Sequence, residues 1–110
     1  MGTAAAFTPT GNTVTFTANV AAPTPVQVVS TTLGGNQYRI INAGNVTVFL
    51  GFGRTAADAN ACATVITGNG AAIPLLSGTD EILTFTPNAF VTGITSSGTA
   101  TIYVTPGDGM

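Results

Sequence analysis

Residues 38–53 read YRIINAGNVTVFLGFG and form the longest clearly bounded apolar stretch of this 110-residue chain. Residues 38–41 and 46–52 are rich in β-branched and aromatic side chains, which is typical of strands. Between them, residues 42–45 tolerate the positive φ of a tight turn, so the chain can reverse there. Because successive strand side chains point to opposite faces, Phe49 lies on the face opposite to Val48 and Leu50. The stretch predicts a β-hairpin at the centre of the fold.

Strand patterns continue on both sides of this stretch. Alternation is cleanest over residues 13–20, where apolar residues alternate with threonine and, at residue 19, asparagine. Glycine- and proline-containing turns separate further strand-like segments at spacings of roughly 8–12 residues. Those segments are residues 26–32, 64–67, 71–76, 81–86, 90–95 and 99–105. Residues 54–64 are rich in alanine and are predicted to be a long loop with room for one helical turn.

About eight strands with no helices to cover a parallel sheet predict an all-β fold. We expect an antiparallel β-sandwich, jelly-roll-like in its arrangement. The domain is predicted to span residues 13–105. Residues 1–12 are expected to be a flexible N-terminal arm, and residues 106–110 a C-terminal tail.

The composition is unusual for a free soluble domain. Charged residues make up 5% of the chain and the net charge is −2, whereas soluble domains carry roughly 25% charged residues. Threonine supplies about a fifth of the residues. Such a surface has little charge repulsion between copies, which favours a chain that works in an assembly. The alternative is a neutral, threonine-coated domain that stays soluble alone.

Several predicted strands are apolar on both faces, as at Phe49-Leu50 and Ile82-Leu83. One face can join the core, and the other needs a second cover. Another subunit is the cover that we expect, and the chain's own loops are the alternative.

Few side chains of the sequence are of the kinds that usually act in catalysis. The chain has no histidine and no lysine, the side chains that most often transfer protons near neutral pH. Asp80 and Glu81 are adjacent and would point to opposite faces of a strand. Cys62 has no histidine to activate it and is interpreted as a small apolar residue. We therefore expect a protein that is not an enzyme.

Binding of common cofactors is not indicated either. The sequence contains no metal-ligand cluster and no phosphate-binding loop. Two arginines on a net-negative chain are too few for a nucleic-acid interface. No apolar run reaches the roughly 18 residues of a membrane helix. No cofactor, metal, nucleic acid or membrane is expected as a partner.

Three segments together resemble small virion proteins of tailed bacteriophages. They are NAG at residues 42–44 with VFLGFG at 48–53, IPL at 73–75, and ITSSGTATIYVTPGDG at 94–109. The last segment is the most specific. The likeness covers about residues 36–109, except residues 54–70, whose role is open. Some of these virion proteins are capsid decoration, or cement, proteins, which are sandwich or jelly-roll modules bound outside the shell.

The resemblance implies a structural protein that binds the outside of a phage capsid and stabilises it. Its partners would be the major capsid protein and copies of itself, as a dimer or trimer. It would be made in the host cytoplasm and located on the capsid surface of the virion. The alternative is a tail or fibre accessory module that contacts the host. The lack of tryptophan argues mildly against a carbohydrate site for that alternative.

Four residues are candidates for protein contacts. Phe7 lies in the predicted arm and Pro106 begins the predicted tail. Phe49 and Tyr103 fall on the outward face of their predicted strands, opposite to the residues assigned to the core. These four side chains are expected to touch the capsid or a second copy.

Overall fold

A computed structural model describes residues 8–29, 37–66 and 70–108. The candidate contact residue Phe7 therefore lies outside the described residues. Within them the chain forms nine strands and one helix: β1 (Thr8–Pro9), β2 (Val14–Ala18), β3 (Val26–Gln27), β4 (Gln37–Asn42), β5 (Val48–Gly53), α1 (Ala56–Cys62), β6 (Ile73–Leu75), β7 (Asp80–Thr84), β8 (Phe90–Ile94) and β9 (Ala100–Asp108).

The strands form two sheets. In the first sheet the order is β1-β9-β4-β7, and β2 also pairs with β9. In the second sheet the order is β3-β8-β5-β6. Every pair of these described strands is antiparallel, and one isolated parallel bridge joins Asn19 to Ile94. The prediction of an all-β antiparallel sandwich is confirmed.

A single apolar core lies between the sheets. Alternation sends side chains of β2 and β4 inward in turn, as the sequence predicts for β2, where Phe16 and Ala18 are buried. The largest fully buried apolar side chains come from both sheets: Tyr38, Ile40, Ile102 and Val104 from the first, and Leu50, Leu75, Val48 and Val91 from the second.

The prediction of a central hairpin is wrong. β4 pairs with β7 and β9 in the first sheet, whereas β5 pairs with β6 and β8 in the second. The turn between β4 and β5 therefore crosses from one sheet to the other. Both strands are apolar enough to enter the core from either sheet, so local sequence alone does not choose their partners.

Asn42 holds this crossing in place. Its side chain is fully buried, and its Oδ1 accepts a hydrogen bond from the Gly44 N–H at 2.9 Å. Its Nδ2 donates to the carbonyl oxygens of Val46 at 2.9 Å and Leu75 at 3.0 Å. Because Leu75 belongs to β6, the amide links the turn to the second sheet.

Residues 56–62 form a helix of about two turns, more than the single turn predicted within a loop. Thr55 caps its N-terminus, where the Thr55 Oγ1 accepts a hydrogen bond from the Asp58 N–H at 3.2 Å. The helix packs on β5 and β8. It approaches the sheet at Gly51 and Gly53, where an added Cβ would lie within 2.4 Å of the helix backbone. Two glycines thus let the helix rest directly on the outer face of the second sheet.

β9 continues through Pro106 to Asp108, beyond the predicted start of the tail. Pro106 is buried and lies opposite Tyr38 of β4. Its carbonyl oxygen accepts from the Thr10 N–H at 2.9 Å, on the side away from β4. In an antiparallel ladder the N and O of one residue point to the same neighbour, so the missing proline N–H does not interrupt the β4–β9 ladder.

The start of the described chain also joins the first sheet. In β1, Thr8 lies opposite Asp108 and Pro9 opposite Gly107. Part of the predicted arm and most of the predicted tail are therefore paired with one another in the structure.

Candidate protein-contact surfaces

The outer face of the first sheet carries exposed apolar side chains. Tyr103 is 41% exposed and Ile82 is 49% exposed. Tyr103 lies directly opposite Ile41 across β9 and β4, and Ile82 lies opposite Arg39 across β7 and β4. These residues point outward because their neighbours along each strand point into the core. We call the side chains of Arg39, Ile41, Asp80, Ile82 and Tyr103 the Tyr103 face.

An ion pair crosses the Tyr103 face. The Arg39 Nε and Nη2 atoms donate to the Asp80 Oδ2 at 3.2 and 3.1 Å. Both side chains are about half exposed, so the pair contributes little to stability, about 0–1 kcal/mol. Its main effect is to pair two of the chain's six charges beside the apolar side chains of Ile41 and Ile82.

The outer face of the second sheet is different because α1 covers part of it. Phe49 shares this face with Gly51 and Gly53, and it is half-buried. It lies opposite Pro74 of β6 and Ile94 of β8. The chain itself therefore supplies at least part of the cover for which the sequence predicted another subunit.

The structure separates the four candidate contact residues. Tyr103 is exposed on the first sheet, and Phe49 is half-buried on the second. Pro106 is buried within β9, so its side chain belongs to the packed part of the molecule. Phe7 lies outside the described residues. The two residues that remain at a surface lie on opposite sheets and form two patches.

Sequence reasoning missed some exposed apolar residues. Val20, at 57%, and Leu76, at 62%, are exposed just beyond the ends of β2 and β6. Val20 continues the alternation of residues 13–20, which predicts that it lies on the same face as the buried Phe16 and Ala18. Since the strand ends at Ala18, the alternation no longer determines which way Val20 points.

Tyr38 is fully buried, and its hydroxyl makes two hydrogen bonds. It donates to the Thr86 carbonyl oxygen and accepts from the Ala89 N–H at 3.1 Å. Burial raises the pKa of Tyr38, and the hydrogen bond with Ala89 offsets part of that rise. The neutral phenol therefore links β4 to the segment between β7 and β8.

The titratable groups of the described residues are scattered. Among residues 8–29, 37–66 and 70–108, no group of three His, Cys, Asp or Glu side chains could hold a metal ion. Cys62 is half-buried at the end of α1. No helix in this part of the chain is long and apolar enough to cross a membrane. The described residues instead place exposed apolar side chains on the Tyr103 face and the half-buried ring of Phe49 on the outer face of the second sheet.

Comparisons with protein-family models, curated proteins and solved structures found no match to this chain.

Proposed function

We propose that this chain is a structural protein of a bacteriophage particle that binds the outside of the capsid and stabilises it. The observation that carries the proposal is the Tyr103 face, an exposed apolar surface with a neutralised ion pair on a chain with few charges. Exposed apolar side chains favour burial against another protein, and the pairing of Arg39 with Asp80 keeps the net charge brought into such a contact at zero. The resemblance of residues 94–109 to phage virion proteins supplies the class of partner.

The strand order supports a jelly roll, the arrangement proposed for this sandwich. β2 pairs with β9, β3 with β8, β4 with β7 and β5 with β6. The same four pairs arise when a single long hairpin, with its turn between β5 and β6, is folded over so that its strands divide between two sheets. Viral capsid domains are among the proteins that use such double-sheet folds, so the topology is compatible with a place in a virion.

The proposed partners are the major capsid protein and further copies of this chain. A dimer or trimer would present the Tyr103 face more than once to a shell that repeats its own binding site. Linked contacts of this kind gain affinity through effective concentration, without any new contact. Weak individual contacts would then be enough for stable decoration.

The test compares binding of two variants to empty shells of the phage that encodes the chain. Truncating a tyrosine that is a hot spot of an interface costs at least about 2 kcal/mol, which is about 30-fold in the dissociation constant. Tyr103→Asp should therefore reduce co-sedimentation by at least about that factor. Leu76→Asp is the control, since Leu76 is even more exposed and lies outside the Tyr103 face. Equal binding by both variants would refute a role for the Tyr103 face.

The patch at Phe49 is tested separately. Phe49→Asp is expected to leave a folded domain whose mass, measured by light scattering, is that of the monomer. Dimers or trimers of the unaltered chain would support self-association. An unfolded Phe49→Asp product would instead show that the half-buried ring belongs to the core.

Host binding separates the main proposal from the tail or fibre alternative. A chain that does not bind empty shells but does bind host cells would be assigned to the tail. Binding to shells, with no binding to cells, would leave the capsid surface as its location.

A further inference from the structure

A cavity of about 190 Å³ lies at the side of the sandwich where β6 and β7 end their sheets. Both sheets contribute to its walls. The second sheet contributes Leu50, Phe52 and Ile73, and β7 with the residue after it contributes Leu83 and Phe85; Cys62 closes the wall at the end of α1. The walls are therefore apolar except for one thiol and Thr84.

The volume and lining of this cavity restrict what can occupy it. Protein interiors contain few voids larger than a water molecule, and water is poorly held where polar partners are scarce. An apolar cavity of roughly 150 Å³ in another protein stays dry and binds benzene. Sites for drug-sized ligands are larger, roughly 300–1,000 Å³. The space suits a single ring or a fused pair of rings.

The aromatic wall favours a flat aromatic guest. The rings of Tyr38 and Phe52 have centroids 5.7 Å apart with a tilt of 48°, and those of Phe52 and Phe85 repeat the same distance and tilt. Tilted pairs at this distance are favourable for aromatic rings. A guest beside Phe52 and Phe85 would extend this row by one ring.

The residues around the cavity also have apolar surface left to bury. Phe52, Leu83 and Phe85 pack against the core but are only partly buried. A guest would cover the remaining surface that faces the cavity, which is the main source of binding free energy for an apolar ligand.

From this geometry we infer that the cavity binds one small aromatic molecule of benzene to indole size, between the free edges of β6 and β7. The site is independent of the capsid role, because the Tyr103 face lies on the outer face of the first sheet and the cavity lies at the side of the sandwich, between the edges of β6 and β7. Failure of shell binding would leave this inference untouched, and the reverse also holds.

Cys62 provides the readout. It is the single cysteine of the chain and lies on the cavity wall, so alkylation of the unaltered protein reports on whether the cavity is filled. With indole as the probe, we expect alkylation to slow several-fold and saturably, with a dissociation constant on the order of 1 mM or tighter. Amide resonances of Leu50 and Leu83 should shift with the same concentration dependence.

A filled-cavity variant gives a second test. Cys62→Phe places a ring on the wall and should abolish the indole-dependent shifts. The matched control is Ala61→Phe, because residue 61 is exposed on the same helix and is not on the cavity wall; it should keep those shifts. If Cys62→Phe does not fold, the alkylation experiment on the unaltered chain still decides.

Two results would overturn the inference. One is alkylation that indole does not slow at any concentration up to its solubility limit. The other is protection by N-acetyl-tryptophanamide without protection by indole, which would assign the cavity to the side chain of a partner protein.

Discussion

Replacing Gly51 with alanine tests whether α1 rests directly on the second sheet. A Cβ built at Gly51 would lie 2.3 Å from the Ala59 carbonyl oxygen. It would also lie 2.6 Å from the Ala63 nitrogen and 3.0 Å from the Ala63 Cα. All three atoms belong to the backbone at α1 and its C-terminal cap, so no side-chain rotation can relieve the contact.

The size of the effect follows from these distances. Ordinary contact begins near 3.4 Å, so the helix backbone must move away by about 1 Å or detach from the sheet. Overpacking of this kind costs about 1–3 kcal/mol. Alanine lowers the entropy of the unfolded chain and offsets about 0.4–1 kcal/mol of that cost. At the midpoints of these two ranges the net loss is about 1.3 kcal/mol, which should lower the melting temperature by roughly 5–10 °C.

Thermal unfolding followed by circular dichroism measures this loss, and Gly70→Ala is the matched control. At Gly70 the nearest atoms to an added Cβ are side-chain atoms, of Ile66 at 3.3 Å and Thr64 at 3.4 Å. The control should change stability by no more than about 0.5 kcal/mol. Amide exchange at Ala59, whose N–H bonds to the Thr55 carbonyl at 3.1 Å, should accelerate only in Gly51→Ala. If Gly51→Ala and Gly70→Ala had the same melting temperature, the direct contact between α1 and the sheet would be refuted.

Three further substitutions test the polar contacts of Asn42, Thr55 and Tyr38. Asn42→Ala removes the donors to two carbonyl oxygens and should cost about 1–3 kcal/mol in urea unfolding. Thr55→Ala removes the cap of α1 and should cost about 1 kcal/mol by the same measurement. The raised pKa of Tyr38 means that the folded state keeps the phenol proton more tightly than the unfolded state, so stability is full below about pH 10 and falls as pH rises further. Tyr38→Phe should flatten that decline while lowering stability at neutral pH by about 1–3 kcal/mol, because the Ala89 N–H loses its partner.

Each of these three substitutions also has a result that would contradict the stated reason. An Asn42→Ala protein as stable as the parent would mean that water replaces the amide at the turn. An unchanged Thr55→Ala midpoint would mean that the first turn of α1 does not depend on its cap. An alkaline decline that survives Tyr38→Phe would have to come from another titrating group.

Much of the fold could be predicted from the sequence because strand geometry is local. The alternation of β2 was identified, and the segment predicted at residues 71–76 contains β6, which ends the second sheet. The extent of α1 was underestimated, since its alanines give only a weak amphipathic pattern. The position of the helix depends on Gly51 of β5, because the missing side chain there leaves room for the helix backbone.

Among the candidate contact residues, one could be placed from its local sequence and another could not. Tyr103 could be placed on an outward face because its neighbours in β9 alternate regularly. Pro106 could not be assigned correctly from its local sequence, because Pro-Gly normally marks the end of a strand. It is buried because β4 and Thr10 flank β9 at that point.

The sequence by itself therefore determined that the chain is a threonine-rich antiparallel β protein with few charges and with neither histidine nor lysine. Side-chain alternation, turn residues and composition are properties of neighbouring residues, so they can be read without the fold. The tertiary structure alone decided that β4 and β5 enter different sheets, that α1 covers part of one outer face, and that a cavity opens between β6 and β7. These features depend on contacts between residues far apart in the chain, and the free energy of those contacts selects among several pairings that the local pattern allows equally.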